Sequence, residues 1–253
     1  MGRIELCEWD SKHFGVKIGR YAPDNLKDIG REIERAKAEG YELLITRLPI
    51  DQVAIVNHLE SLGFRVKDIL VLYRVLLDNT DFLEHNGISF TIRSATPTDI
   101  DMVADIARTT FKNYRGHFHA DELLSKEKCD ELYVEWAINS IVDRKIANEV
   151  FIAEGETRLL GFATIKIISD EESQGILFGT APEARGRGVY SEFIKEAINW
   201  SKNKKLKYLV LGTQVNNYVV QNAWTKVGAK IFTSYYTLHL WLGKVGNEPK
   251  TIL

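Results

Sequence analysis

The stretch PEARGRGVYSEFI, residues 182–194, combines two glycines and two arginines with the start of an amphipathic pattern. Gly186 and Gly188 allow backbone N–H groups to approach an anion closely. The partial positive charge of a helix amino terminus favours phosphate, and Arg185 and Arg187 add full charges. The apolar residues that follow recur at helical spacing, at Val189, Phe193, Ile194, Ala197 and Ile198. The stretch therefore predicts a phosphate-binding loop at a helix start.

Three kinds of phosphate site use a glycine-containing loop of this type. A P-loop requires Gly-Lys-Ser/Thr at the helix start, where this chain has Gly188-Val189-Tyr190, so a P-loop is excluded. A dinucleotide fingerprint requires G-x-G-x-x-G/A with an acidic residue about 20 positions further on. GRGVYS lacks the third glycine, and the next apolar run ends in Gly212-Thr213 instead of an acid. The third kind binds the pyrophosphate of coenzyme A, and a strand–loop–helix connection without a ligand is the remaining alternative.

In this region the chain resembles the GCN5-related N-acetyltransferase (GNAT) superfamily. That superfamily has the loop pattern Arg/Gln-x-x-Gly-x-Gly/Ala after its fourth strand, and Arg185, Gly188 and Tyr190 occupy those positions. The apolar runs GILFGT and YLVLGT flank the loop and its helix in the corresponding order. After the next strand the superfamily usually has Asn, a small residue, Tyr and Gly, and the residues here are Asn217, Val220, Trp224 and Gly228. Tyr190 and Trp224 depart from the usual pattern.

The resemblance implies an acyl-CoA cosubstrate held between the splayed fourth and fifth strands of the GNAT domain. The backbone of LFGT, residues 177–180, would bond the pantetheine arm, and an N–H near Phe178 or Gly179 would face the thioester oxygen. The implied catalytic residues are Phe178, Gly179, Trp224 and Tyr218. The implied cofactor contacts are Leu177, Phe178, Gly179, Arg185, Gly186, Arg187, Gly188, Val189, Tyr190, Ser191, Asn217, Asn222 and Trp224. No metal is implied.

Trp224 stands where the family usually has a tyrosine that protonates the departing thiolate. An indole N–H donates hydrogen bonds but is far too weak an acid for that task. Tyr218, Tyr235 or Tyr236 could supply the proton instead. Unassisted departure is also open, because a thiol pKa near about 8.5 makes the thiolate a reasonable leaving group.

The acceptor is suggested by a second resemblance, to sugar-nucleotide N-acetyltransferases exemplified by dTDP-fucosamine acetyltransferase. It covers nearly the whole chain and rests on EWDSKHFG at 8–15, TRLP at 46–49 and the aromatic closing run YYTLHLWL. It implies a cytoplasmic enzyme that acylates the amine of a nucleotide-linked, dTDP-type, deoxyamino sugar, as in lipopolysaccharide biosynthesis. The implied substrate contacts, most of them in FKNYRGHFHADE at 111–122, are Tyr114, Arg115, His117, His119 and Gln214.

The chemistry of those side chains fits a nucleotide-linked amine. Tyr114 can stack on a base, and Arg115 can pair with phosphates. His117 or His119 can take a proton near neutral pH. The same histidines with Asp121 give His-x-His-x-Asp, which is a weak metal-site signal. A solvated polar loop is the remaining interpretation of this segment.

The order of apolar runs predicts an α/β protein. Strand-like and helix-like patterns alternate, with a polar, turn-rich break at LDNTDFLEHNG, residues 77–87. We expect a small α/β half-domain at 1–85 and a GNAT domain at 86–253. The expected GNAT fold is a mixed central sheet splayed between its fourth and fifth strands and flanked by helices. Trp9 and Phe14 are predicted to anchor the first core, Asp10 to cap a turn and His13 to be structural.

Composition narrows the function classes. The 253 residues carry 33 Lys+Arg and 35 Asp+Glu, which argues against a dedicated nucleic-acid binder. Two cysteines predict no disulfide scaffold and fit a reducing cytoplasm. No apolar run approaches the roughly 18 residues of a membrane span. A homodimer is compatible with the sequence. Two alternatives stay open beside the sugar-nucleotide enzyme: a GNAT enzyme acting on a protein amino terminus or polyamine, and a non-catalytic CoA-binding module.

Overall fold

A computed structural model of the chain describes residues 2–23, 27–78, 81–85, 89–112 and 114–243. They form two compact units, the first from residues 1–70, 115–128 and 233–253 and the second from 71–114 and 129–232. The units interleave along the chain, so they differ from the division at residue 85, which remains a prediction. Residues 79, 80, 86 and 87 of the polar break, and Asn113 of the acceptor segment, lie outside the described residues.

The regular elements alternate between strand and helix for most of the chain. In order they are β1 (Arg3–Leu6), α1 (Glu8–Phe14), β2 (Ile18–Ala22), α2 (Ile29–Ala38), β3 (Leu43–Pro49), α3 (Val53–Ser61), β4 (Arg65–Leu76), β5 (Thr91–Ser94), α4 (Ile100–Thr110), α5 (Lys126–Val142), β6 (Glu149–Glu154), β7 (Leu159–Ile167), β8 (Glu172–Thr180), α6 (Val189–Asn203), β9 (Tyr208–Gln214), α7 (Tyr218–Lys226) and β10 (Lys230–Trp241). Short 3-10 turns, Pro97–Asp99 and Pro182–Ala184, precede α4 and the loop before α6.

In the first unit, the strands follow the order β1-β2-β3-β10. β1 pairs with β2 and β3 with β10 in antiparallel register, whereas β2 and β3 are parallel. Helix α2 buries Ile29, Ile33 and Ala36, which recur at helical spacing and so lie on one face. This face joins a core that also contains Tyr21 and Phe64, whose rings stack at 6.1 Å.

In the second unit, the strands follow the order β4-β9-β8-β7-β6-β5. The β5–β6, β6–β7 and β7–β8 pairs are antiparallel and β8–β9 is parallel, so the sheet is mixed. Helix α6 packs on β7, β8 and β9, and α4 packs on β7 and β8. The face that α6 buries is the apolar set seen in the sequence, Val189, Phe193, Ile194, Ala197 and Ile198. The predicted α/β fold class is therefore confirmed.

An ion-pair network fixes the start of α4. The Asp99 carboxylate accepts hydrogen bonds from the Thr96 N–H and from two nitrogens of Arg93, the latter both at 2.9 Å. Arg93 also donates to Glu154 on the neighbouring strand β6. The bonds from Arg93 outweigh the effect of burial and hold the pKa of Asp99 well below its usual value. The Asp99 carboxylate is thus ionised at neutral pH.

The alternation of strands and helices that the apolar runs predict is present, but the amino terminus differs. β1 and α1 lie in a segment for which the apolar spacing predicted no element. Phe14 is buried as expected, whereas the prediction that Trp9 anchors a core is wrong, since its side chain is exposed on the short helix α1. Cys7 and Cys129 do not form a disulfide bond. Among the described residues, no helix has the length and apolar character needed to cross a bilayer.

Candidate active site

Strands β8 and β9 separate part of the way along their length. They pair in parallel from Glu172–Tyr208 to Gly175–Leu211. Beyond that point β8 continues through Ile176–Thr180 and β9 through residues 212–214, with no pairing between these two segments. The edge of β8 that faces β9 therefore presents backbone groups without a partner from β9, as the expected splay requires.

A β-bulge lies on β8 at the start of this open segment. Ala163 pairs with Phe178 and Ile165 with Gly175, so β8 has one residue more than β7 across the same interval. Such bulges interrupt the ladder and redirect backbone groups. Here the N–H of Leu177 donates to the hydroxyl of Thr164 at 3.0 Å instead of to a backbone carbonyl.

Beyond the bulge, the backbone N–H and C=O groups of successive β8 residues point alternately toward β7 and toward the open edge. Ala181 N–H donates to the carbonyl of Leu160 at 2.9 Å. Because bonded pairs alternate in an antiparallel ladder, Gly179 and Phe162 form the next such pair, and the N–H of Phe178 points away from β7. A Cβ on Gly179 would come within 2.5 Å of the Phe162 ring, so packing requires glycine there. Of the two amides expected to face the thioester oxygen, the geometry favours that of Phe178.

The loop between β8 and α6 has the backbone that its glycines suggested. Gly186 and Gly188 have φ of 76° and 82°, in the left-handed region, and Gly188 is the N-cap of the 15-residue helix α6. The first N–H groups of a helix have no partner within it, so those of Val189, Tyr190 and Ser191 are available to an anion. The first intrahelical bond runs from the Glu192 N–H to the Gly188 carbonyl. The geometry suits a phosphate group.

The charges around this loop are accessible to solvent. Arg185, Gly186, Arg187 and Gly188 are all exposed, and Arg187 donates to the hydroxyl of Ser89 at 3.3 Å. The side chain of Val189 is buried in the core, so only its backbone can contact a ligand. The loop can therefore combine backbone donors with two guanidinium groups, which together favour a multiply charged anion.

The two departures from the family pattern contact each other. The indole N–H of Trp224, whose side chain is only 3% exposed, donates to the hydroxyl of Tyr190 at 3.0 Å. Trp224 also packs edge-on against Tyr73 at 5.3 Å, and Tyr190 lies 5.6 Å from the ring of Phe178. Burial raises the pKa of Tyr190, with the bond from Trp224 opposing this. Tyr190 is therefore a neutral phenol at physiological pH, beside the open part of β8.

Other predicted residues of the second unit lie at the ends of β9 and α7. Tyr114 donates its hydroxyl proton to Gln214 Oε1 at 2.5 Å, and the ring of Tyr114 packs against Phe111. Asn217 is the N-cap of α7, and its amide donates to Thr213 Oγ1 at 2.9 Å. Tyr218 is 67% exposed, and Asn222 is exposed as well. Tyr218, Asn222 and Ser191 keep their roles as predictions.

In the first unit, the histidine-rich segment joins β10 through hydrogen bonds. His117 Nδ1 lies 2.9 Å from His239 Nε2, and His239 Nδ1 lies 2.6 Å from Asp121 Oδ2. The indole N–H of Trp241 also donates to Asp121, at 3.1 Å to Oδ2. Asp121 and His239 are buried, while His117 is partly exposed. Sequence reasoning proposed no role for His239 or Trp241, because a strand of alternating aromatic and aliphatic residues reads as sheet core.

The remaining residues of this segment differ in environment. Arg115 is exposed, whereas His119 is buried and its carbonyl accepts a bond from Lys126 Nζ. The metal interpretation of His117, His119 and Asp121 finds no support, because two of them are bonded to His239. Within the described ranges, no group of three His, Cys, Asp or Glu side chains is arranged to hold a metal ion.

Comparison with known proteins places these features in a family. Residues 105–229, which include β8, the loop and α7, match the model of the acetyltransferase (GNAT) family. The spore coat polysaccharide biosynthesis protein SpsD of Bacillus subtilis is 25% identical over 155 residues, which are 61% of this chain and 52% of SpsD. The chain thus spans about half the length of this curated relative.

Solved structures share the fold. A GCN5-related N-acetyltransferase from Sphaerobacter thermophilus superposes with a TM-score of 0.64 at 10% identity, covering 95% of this chain and 76% of that one. A tandem GNAT protein from the clavulanic acid biosynthesis pathway has a TM-score of 0.62 at 12% identity, covering 92% and 77%. Residues 105–229, which contain the splayed strands and the glycine loop at the start of α6, thus match the acetyltransferase (GNAT) family.

Proposed function

We propose that the protein is an N-acyltransferase that moves an acyl group from acyl-CoA to the amine of a nucleotide-linked deoxyamino sugar, by direct attack in a ternary complex. The observation that carries the CoA-dependent part is the fork between β8 and β9, together with the left-handed glycines at the start of α6. The match of residues 105–229 to the acetyltransferase (GNAT) family supports the same conclusion. No metal takes part in the proposed reaction.

On the donor side, each element of the fork has a role. The pyrophosphate of CoA lies at the start of α6, held by the N–H groups of the first turn and by Arg185 and Arg187. The pantetheine arm bonds the open edge of β8, taking the place of the missing strand. The Phe178 N–H then donates to the thioester oxygen, where negative charge grows as the amine attacks. Catalysis is mainly the positioning of two substrates, with this electrostatic help.

On the acceptor side, the proposal rests on the chemistry of residues 114–119. Arg115 is exposed and can pair with a diphosphate, and the phenol of Tyr114 is held by Gln214 beside the end of β9. In this proposal His117 or His119 takes a proton from the amine. SpsD, which this chain resembles in part, is named as a polysaccharide biosynthesis protein, and that name supports a sugar acceptor.

Binding and turnover experiments test the two halves of the proposal in sequence. Isothermal titration with CoA and acetyl-CoA should give binding, and turnover should follow with aminated dTDP- or UDP-sugars across a panel of acyl-CoAs. If the protein acylates peptide amino termini or polyamines but not sugar nucleotides, the proposed sugar-nucleotide acceptor is wrong and the acceptor belongs to one of those other classes. CoA binding without turnover of any amine would support a non-catalytic module, and absence of CoA binding would refute the proposal entirely.

A further inference from the structure

Part of the polar break that the sequence places between the two predicted domains lies along helix α6 of the second unit. We call this part, residues 81–85, the strap. The backbone N–H of Leu83 donates to Asn199 Oδ1 at 2.8 Å, and the Asn199 amide donates to the Leu83 carbonyl at 2.8 Å. Lys195 Nζ donates to the carbonyl of Glu84 at 3.2 Å. The strap therefore runs toward the amino-terminal end of α6, which follows the phosphate loop.

At the end of the strap, an imidazole lies between two carboxylates of α6. His85 Nδ1 lies 2.6 Å from Glu192 Oε2, and His85 Nε2 lies 2.9 Å from Glu196 Oε2. The side chain of Glu192 is only 8% exposed, and its Oε1 also pairs with Lys195 Nζ at 2.7 Å. We call these four side chains the clasp.

The hydrogen bonds of the clasp fix the charge of His85. A neutral imidazole carries one N–H, and an ionised carboxylate can only accept hydrogen bonds. A neutral His85 would therefore direct the lone pair of one ring nitrogen at a carboxylate oxygen within hydrogen-bonding distance. Glu192 and Glu196 also lie one helical turn apart, where like charges repel unless a cation lies between them. His85 is thus an imidazolium, and the clasp combines two negative with two positive side chains.

The clasp is close to the phosphate loop along the chain and along the helix. The N–H of Glu192 donates to the carbonyl of Gly188, so Glu192 lies one turn from the N-cap of α6. A negative charge near a helix amino terminus offsets the partial positive charge that attracts phosphate. Because Glu192 is buried, salt and solvent screen its charge only weakly. Without a cationic partner, this carboxylate would oppose the binding of a pyrophosphate at the loop.

We propose that His85 is a positioning residue for acyl-CoA binding, because its imidazolium offsets the carboxylate charge in the first turns of α6 and so keeps the loop attractive to the CoA pyrophosphate. His85 acts through Glu192 and Glu196 and does not itself contact CoA. This inference rests on the proposed function. It gives a role in the cofactor site to a residue of the polar break, which the sequence pattern indicates only as a boundary between domains.

Substitutions at His85 separate its charge from its hydrogen bonds. His85→Gln keeps an amide donor and removes the positive charge, so it should weaken CoA binding about two- to fivefold in isothermal titration, the effect of one charge near a helix terminus. His85→Lys keeps the charge and should bind CoA more tightly than His85→Gln. The double variant His85→Gln/Glu192→Gln also loses the carboxylate and should regain the wild-type Kd.

Asn199→Ala is the matched control for a role of the strap that is only structural. It removes both hydrogen bonds to Leu83 and changes no charge, so the Kd for CoA should stay at the wild-type value. If Asn199→Ala weakens CoA as much as His85→Gln, or if Glu192→Gln does not restore binding to His85→Gln, then His85 only holds the strap and the inference is wrong.

NMR tests the charge of His85 without any ligand. Nitrogen-correlated spectra of ¹⁵N-histidine-labelled protein at neutral pH should show a proton on both ring nitrogens of His85, whose signals are identified by their loss in His85→Gln. A neutral ring would overturn the inference.

The outcomes separate this inference from the proposed function. If the wild type and His85→Gln bind CoA equally well, the inference is wrong while the proposed function stands. If the wild type binds no CoA, the proposed function fails, and the inference fails with it. If His85→Gln does not fold, Glu192→Gln alone decides, because removing this carboxylate should tighten CoA binding and a weaker affinity would contradict the inference.

Discussion

Replacing Gly188 with valine tests the phosphate loop at a position where the backbone itself is the ligand-binding group. Gly188 has φ of 82° and ψ of −4°, a conformation that costs a residue with a side chain about 1–2 kcal/mol. No atom lies within 4 Å of the position that a Cβ would occupy, so the free protein meets no steric clash. The strain is instead relieved by moving the backbone that presents the N–H groups of α6. Loss of one charge-assisted bond to phosphate, about 1.5–3 kcal/mol, should weaken CoA binding at least tenfold.

Gly40→Val is a matched control for that variant. Gly40 has φ of 78°, nothing within 4 Å of its added Cβ, and a place at the end of α2 in the first unit. Both variants should lose similar stability in thermal melts, but only Gly188→Val should weaken CoA in isothermal titration. A folded Gly188→Val protein that binds CoA as tightly as the wild type would refute the phosphate-loop assignment. Equal weakening by both variants would show that the effect is not local.

Four further substitutions test three separate parts of the chain. Trp224→Phe should keep most of the turnover. Tyr190→Phe leaves the buried indole N–H of Trp224 without its acceptor, so it should lower the free energy of unfolding by about 1–3 kcal/mol. Urea denaturation measures this loss, and an unchanged midpoint for Tyr190→Phe would contradict the prediction. Arg115→Ala should raise the KM for the sugar nucleotide at least tenfold, because it loses a phosphate contact worth about 1.5–3 kcal/mol. The KM for acyl-CoA should stay nearly unchanged. Equal effects on the saturation curves of both substrates would show that this loop is not part of the acceptor site. Asp99→Asn should lower the unfolding free energy at pH 7 by about 1.5–3 kcal/mol through the loss of its bonds to Arg93. Because the pKa of Asp99 is lower in the folded protein than in the unfolded chain, the difference in unfolding free energy between wild type and Asp99→Asn should persist above about pH 4 and vanish as the pH falls further. A difference that does not change with pH would contradict the prediction.

The sequence explains only in part the presence of Trp224 where the family usually has the tyrosine that protonates the thiolate. Trp224 is recognisable as a departure from the family pattern, and its chemistry excludes it as an acid. The candidates named from the sequence were tyrosines near it along the chain or on the closing strand. The fold adds Tyr190, which lies 34 positions earlier and accepts the Trp224 N–H. Nothing in the spacing relates these two residues, because one is on α6 and the other on α7.

In the acceptor segment, too, the sequence leaves the role of the titratable residues open. His117, His119 and Asp121 form a short local pattern that leaves open a base or a solvated loop and, as a weaker signal, a metal site. The fold adds His239 as a hydrogen-bond partner of His117, 122 positions away and within the alternating pattern of β10. Strand periodicity marks such a residue as an inward-facing side chain and carries no information about which loop covers it.

Local chemistry in the sequence determined most of the elements and the glycine-containing loop before α6. Apolar spacing fixed α6 and the strands around it, and two glycines at a helix start specified a left-handed backbone, because these properties depend on residues only a few positions apart. The order of strands, the point at which β8 and β9 separate, and the interleaving of the two units were decided by the tertiary structure. The same holds for the bonds from Trp224 to Tyr190 and from His117 to His239. These features depend on pairing between distant segments, in which burial of whole faces outweighs any local preference.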